Sequence, residues 1–224
     1  MKLKRHYKLI ISCDGGAASG KTTGARKISK KYSLKFLSSG LLYRYVSYQL
    51  LRSKPKNRIN FIKNCFKKLN LSNLNRINLH TAQISEYTSL IAKEKKIRDI
   101  LKLFQNKFSK KYKKCCIEGR DIGTVILPKA DIKFFFKCDL NIAAKRRFKE
   151  LRRNNPKIKL LDVKKSIKTR NFRDLSRKNS PLLKSPDAII VDTGKLKNIK
   201  GMIKKMSEII DKKIIKKYGS RSTN

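Results

Sequence analysis

Leu9-Ile10-Ile11-Ser12-Cys13-Asp14-Gly15-Gly16-Ala17-Ala18-Ser19-Gly20-Lys21-Thr22 decides how the rest of the chain is read. Residues 9–13 form a short apolar run, the length and character of a strand buried on both faces. From Gly15 to Thr22 the sequence satisfies G-x-x-x-x-G-K-[ST] at every fixed position, and a helical pattern follows over 22–32. Strand, small-residue turn and helix is the context in which that motif holds phosphate. Small residues let the backbone wrap an anion with several N–H groups pointing inward. Lys21 supplies a mobile positive charge, and the Thr22 hydroxyl suits a hard cation such as Mg²⁺. The predicted phosphate-binding set is Gly15, Gly16, Ala17, Ala18, Ser19, Gly20, Lys21, Thr22 and Thr23, with a nucleoside triphosphate as donor and Thr22 as the metal ligand. Asp14 is read two ways, as the holder of a metal-bound water or as a cap on the turn.

Four further apolar runs, at 34–37, 115–117, 132–136 and 188–191, alternate with helical patterns. Such alternation predicts parallel strands joined by right-handed crossovers. The expected fold is α/β: a three-layer P-loop fold on a five-stranded parallel sheet, in one domain over 1–224. An acceptor-binding insertion is expected over 45–110 and a helical lid over 148–177. Within the insertion, 52–79 is polar without a strand pattern, and 81–108 reads as helical. Asn154, Asn155 and Pro156 divide the lid into two helices. Insertions after strands lie above their carboxyl ends, where ligands bind in open α/β sheets. The tail over 212–224 reads as a fraying helix with a disordered tip.

Fifty-nine Lys and Arg against fifteen Asp and Glu give a formal net charge of +44. The excess runs the whole length of the chain, which reads as solvated surface more readily than as a dedicated nucleic-acid face. A basic RNA-binding or ribosome-associated protein with a relict nucleotide site is kept as the alternative. Five cysteines lack C-x-x-C or zinc spacing, which predicts reduced, core-packing thiols. Lys2, Lys4 and Arg5 imitate a signal-peptide start, but the apolar run behind them is too short, and no run approaches a membrane span. The expectation is a cytoplasmic protein, and a monomer, since such positive copies repel each other.

A second anion is suggested by three arginine-bearing segments. Ser39-Gly40-Leu41-Leu42-Tyr43-Arg44 follows the second strand, and Glu118-Gly119-Arg120-Asp121-Ile122-Gly123-Thr124 follows the third. Arg170, Arg173, Asp174 and Arg177 have the spacing of one helix face. A phosphate acceptor is already nucleophilic at neutral pH, so its transfer chemistry needs positioning and positive charge more than a base.

With the loop, these segments and the run over 170–182 ending in Ser180-Pro181-Leu182 resemble bacterial cytidylate kinases, and Asp187-Ala188-Ile189-Ile190-Val191-Asp192-Thr193 extends the likeness. The resemblance implies ATP with Mg²⁺ as donor and cytidine or deoxycytidine monophosphate as acceptor. It implies that Lys21, Arg120 and Arg177 act on the transferring group. Arg44, Arg120 and Arg177, with Ser39 nearby, would hold the acceptor phosphate; Ser89, Arg98 and Asp121 would read cytosine; Arg170 and Asp174 would hold the ribose. Cytosine needs an acceptor for its amine and donors for N3 and O2, which those residue types supply. The chain departs from the family at Ser38 and Gly16, where Asp and Pro are usual, and at His80 and Ala143, where Arg is usual. Arg146 and Arg147 follow Ala143 closely, and the 52–79 segment is shortened. A P-loop kinase for another small acceptor, such as adenylate or shikimate, stays open at this point.

Overall fold

Parallel pairing organises the chain, seen in a computed structural model that describes residues 7–153, 155–196 and 198–219. Lys2, Lys4, Arg5, Asn154 and the tail tip at 220–224, all read above, lie outside the described residues. The strands are β1 (Leu9–Gly15), β2 (Lys35–Ser38), β3 (Lys114–Gly119), β4 (Ile132–Lys137) and β5 (Ile189–Asp192). Their order is β2-β3-β1-β4-β5, every pair parallel. β1 lies at the centre, which is why the consecutive residues Ile11, Ser12, Cys13 and Asp14 are all buried. Its neighbours leave in opposite directions along the sheet, so a crevice opens at its carboxyl end. Asp14 is in register with Gly119 of β3, and Gly15 with Phe136 of β4.

Helices cover both faces. α1 (Lys21–Lys31) and α8 (Ile199–Tyr218) pack on one side through Ala25, Ile28, Met202, Met206 and Ile210. On the other lie α2 (Ser39–Ser53), α3 (Arg58–Lys67), α4 (Ala82–Ile91) and α5 (Lys95–Lys111), sharing a core of Leu42, Val46, Ile62, Ile91, Ile97 and Leu101. A 3-10 turn, Leu71–Arg76, and α3 occupy the polar 52–79 stretch, where no strand forms among the described residues. α6 (Leu140–Arg152) and α7 (Leu160–Ser176) make a hairpin whose inner face, Ala144, Val163 and Ile167, packs on Ala17 of the phosphate loop.

Three local expectations need correction. β5 is an edge strand, and Ile189 and Ile190 are 38% and 40% exposed, so its apolar run is not buried on both faces. α6 begins at Leu140, capped by Asp139 through the N–H groups of Asn141 and Ile142, so residue 148 falls inside a helix and does not start the hairpin. Arg177 lies past the end of α7 with extended backbone angles, which removes it from the face that Arg170 and Asp174 share.

Candidate active site

The loop between β1 and α1 takes a shape that only its residues allow. Gly15 has φ +151°, and a Cβ there would lie 2.5 Å from the Phe136 carbonyl oxygen of β4. Gly20, at φ +81°, turns the chain into α1. Ser19 Oγ donates to the Gly16 carbonyl at 3.0 Å and Lys21 Nζ to the same oxygen at 3.2 Å, so the lysine lies folded along its own loop. Burial, then the nearby Arg120, depress Lys21 to about 7. Asp14 lies beneath and accepts from the Ile122 and Gly123 N–H groups at 2.8 and 2.7 Å. Asp14 thereby ties β1 to the π-helical turn Ile122–Ile126, a different turn from the phosphate loop that it precedes. Burial raises it to about 7 against those two hydrogen bonds.

Across the crevice the arginines come from four separate segments. Arg120 Nε donates to Asp174 Oδ2 at 2.7 Å, joining the end of β3 to α7. Asp174 is held below the usual carboxylate range, because Arg120, Arg177 and Arg170 outweigh the burial that would raise it. Arg98 of α5 and Asp121 pair at 2.5 Å and are 7% and 4% exposed, so Asp121 turns to α5 and not to its neighbour Arg120. Arg177 is also buried; its Nε donates to the Ser180 carbonyl at 2.5 Å, and it approaches Asp174 at 3.4 Å and Asp121 at 4.0 Å. Arg44 of α2 donates to the Leu79 carbonyl at 2.9 Å, just before α4, and to Ser85 Oγ at 2.8 Å within it. Burial, then Arg147 and Arg120, lower it to about 10. Arg170 makes no hydrogen bond or ion pair among the described residues, and burial with Arg120 and Arg44 nearby lowers it to about 9.

The structure therefore gathers Lys21, Arg44, Arg98, Arg120, Asp121, Arg170, Asp174 and Arg177 into one network of ion pairs and mutual fields beyond the carboxyl end of β1, with Ser39 buried at the first turn of α2. Two others stand apart. Ser89 accepts from Arg173 Nη1 at 2.8 Å and donates to the Glu86 carbonyl, and neither Arg98 nor Asp121 bonds it. Arg173 leaves the predicted ligand face, clasping α4 through Ser89 and Glu86. Sequence reasoning missed Asn171, whose Oδ1 accepts from the Ala17 N–H at 2.8 Å. It also missed Glu118 as a site carboxylate. Ser38, where the acid was expected, donates to buried Glu118, and that carboxylate acts on Lys21 and Arg170. The strand-end position of Glu118, beside Gly119-Arg120, was its available signal.

Chemically the cleft is short of anions. Two buried donors, Arg98 Nε and Arg177 Nη2, have no hydrogen-bond partner, and both flank Asp121. Buried donors without acceptors are rare, and a water, an ion or a ligand group would satisfy them. On one side are loop amides and Lys21, suited to a triphosphate. On the other are guanidinium groups for a smaller phosphate, beside one carboxylate and two vacant donors suited to a polar ring.

Comparison with known proteins follows the same line. The cytidylate kinase family model matches residues 11–212. The cytidylate kinase of Bartonella tribocorum is 38% identical over 192 residues, covering 84% of this chain and 87% of the relative. Those of Clostridium tetani and Fusobacterium nucleatum are 34% and 36% identical, covering 95% and 91% of this chain and 98% of each relative. Among solved structures, an uncharacterized protein from Eubacterium ventriosum superposes with TM-score 0.55 at 16% identity, covering 92% of this chain and 99% of that one, a likeness of fold. By family model, sequence identity and length of match together, the chain belongs to the cytidylate kinase family.

Proposed function

We propose that this protein transfers the γ-phosphoryl group of ATP to cytidine monophosphate, and to its deoxy counterpart, giving the diphosphate and ADP. The observation that carries the reading is the charge imbalance at the site: among the described residues six cations, Lys21, Arg44, Arg98, Arg120, Arg170 and Arg177, meet four acids, Asp14, Glu118, Asp121 and Asp174. An acceptor phosphate oxygen attacks the γ-phosphorus in line, and the bond to the β–γ bridging oxygen breaks. No base is required, because the attacking oxygen carries no proton at neutral pH.

The loop residues 15–23 hold the donor, with Lys21 moving from the Gly16 carbonyl to the phosphates. Arg44, Arg120 and Arg177, with Ser39, hold the acceptor phosphate. Asp121 accepts from the cytosine amine, and the vacant donors of Arg98 and Arg177 meet its ring acceptors. Arg170 and Asp174 hold the ribose. Ser89 contributes after Arg173 releases it. The insertion over 45–110 carries the acceptor, and the lid over 148–177, made of most of the α6–α7 hairpin and Arg177 beyond it, excludes water so that transfer outruns hydrolysis.

Mg²⁺ fits the residues present. Among the described residues no cluster of three His, Cys, Asp or Glu could cage a metal. A cation held mainly by substrate phosphates needs only the Thr22 hydroxyl and the nearby Glu118 carboxylate, reached through water. When bound, it neutralises charge on the β- and γ-phosphates.

An acceptor panel tests the proposal: ATP and Mg²⁺ with cytidine, deoxycytidine, uridine and adenosine monophosphates, beside Lys21→Ala. Cytidine and deoxycytidine monophosphates should lead, and Lys21→Ala should lose at least about 100-fold in kcat/KM. Asp121→Asn should lower cytidine monophosphate use more than ATP binding. Adenosine monophosphate as the best acceptor would overturn the base-reading assignment.

A further inference from the structure

Asn171 reaches from α7 to a main-chain amide of the phosphate loop. Its Oδ1 accepts the Ala17 N–H at 2.8 Å, and among the described residues this is the hydrogen bond that joins the lid hairpin to the phosphate loop. The carboxamide lies close against the loop. A Cβ on Gly16 would sit 3.1 Å from Asn171 Oδ1 and 3.3 Å from Nδ2, so the bare glycine provides its seat. Ala17 also packs on Ala144, Val163 and Ile167, giving the hairpin an apolar footing at the same place. That footing is slippery, because apolar contact has no direction. A hydrogen bond to one loop amide fixes the rotation and height of α7. The neighbours of Asn171 on that helix are Arg170, which bears on Lys21, and Asp174, which holds Arg120 at 2.7 Å.

We propose that Asn171 is a positioning residue that docks the lid on the phosphate loop. Through its bond to Ala17 it sets Arg170, and Arg120 by way of Asp174, over the transferring phosphoryl group. The inference rests on the kinase reading above. The requirement is an acceptor oxygen at this position, so a carboxylate serves as well as a carboxamide, and an aliphatic side chain does not.

The experiment compares Asn171→Ala, Asn171→Leu and Asn171→Asp with the parent chain, using cytidine monophosphate. The first two should lose about tenfold in kcat, or about 1.4 kcal/mol of transition-state stabilisation, with KM for cytidine monophosphate changed by less than about twofold. ATP hydrolysed per diphosphate formed should rise several-fold, because a misplaced lid admits water. Asn171→Asp should stay within about threefold of the parent, since its oxygen accepts the same N–H. Amide exchange at Ala17 in the nucleotide-free protein, which needs no turnover, should speed up in Asn171→Ala and not in Asn171→Asp. The proposal is overturned if Asn171→Ala keeps the parent's kcat and hydrolysis ratio, or if Asn171→Asp fails as badly as Asn171→Ala. A lower KM for ATP at unchanged kcat in Asn171→Ala would also overturn it, showing that the side chain merely obstructs phosphate. A parent chain that does not phosphorylate cytidine monophosphate would instead fail the function, with the exchange result left to judge the docking contact.

Discussion

Lys21 is buried among its own kind before any anion arrives. Burial and Arg120 lower its pKa to about 7, Arg170 acts in the same direction, and Glu118 and Asp174 oppose them. Between about 7 and the ordinary 10.5, the unfolded chain holds a proton here that the folded chain has released, so this group's contribution to stability rises with pH across that window. Triphosphate binding restores the ammonium and must take up a proton above pH 7. Affinity for a non-hydrolysable ATP analogue should therefore fall with pH above 7, by at most about tenfold per unit. Calorimetry at pH 8 in two buffers of different ionisation enthalpy should register the uptake. Lys21→Arg should flatten the dependence, because guanidinium stays charged; a parent protein with no slope between pH 7 and 9 would contradict the account. The loop itself was readable in sequence because its chemistry is contiguous: one turn, one lysine, one hydroxyl. The pairings were not. Arg120 and Asp121 stand side by side, yet one bonds Asp174, 54 positions on, and the other Arg98, 23 positions back. Only the folded crossovers make those neighbours.

Elements carry these residues into place, and α1 is seated unusually close to the sheet. A Cβ on Gly24 would lie 2.9 Å from two ring carbons of Phe136 and 3.4 Å from the Met206 sulfur. Phe136 is 1% exposed in β4, whose partner in register is Gly15, so the ring has nowhere to move without disturbing the phosphate loop. Gly24→Val should cost about 1–3 kcal/mol by overpacking, against which helix propensity returns only a few tenths. At about 2–4 °C per kcal/mol for a chain of this size, melting should fall by several degrees. KM for ATP should rise too, since Lys21 and Thr22 ride on the first turn of the displaced helix; normal melting and normal KM would refute the close seating. Strands and helices of this kind announce themselves by apolar period, which is why the five strands were legible to within a few residues at either end. Element ends that depend on tertiary partners were less so. Arg177 has helical spacing from Arg170, but its side chain is drawn to the Ser180 carbonyl and to Asp174 where the chain leaves α7. The β5 run is apolar without alternation, as a central strand would be, although it forms the sheet's edge.

At the scale of the whole molecule, the charge has two opposed effects. Of fifteen acidic residues, Asp14, Glu118, Asp121 and Asp174 are spent inside the site, and no acidic residue occurs between Asp14 and Glu86. That acid-free span includes α1, α2 and α3, so the phosphate loop and the helices that follow it sit within a strongly positive field. Such a field draws nucleotides in, and it also pushes the folded chain apart. Salt screens both, since the Debye length shrinks from about 30 Å at 0.01 M to about 10 Å at 0.1 M. Raising KCl from about 0.02 M to about 0.3 M should therefore raise the melting temperature by several degrees while increasing KM for ATP several-fold and changing kcat less. The divergence is the diagnostic feature. A general solvent effect would move stability and affinity in concert, whereas screening of one field separates them. Melting that is flat or falling across that range would mean that the excess lysines are too well solvated to strain the fold, and a flat KM would mean that nucleotide capture depends on the cleft's own arginines alone.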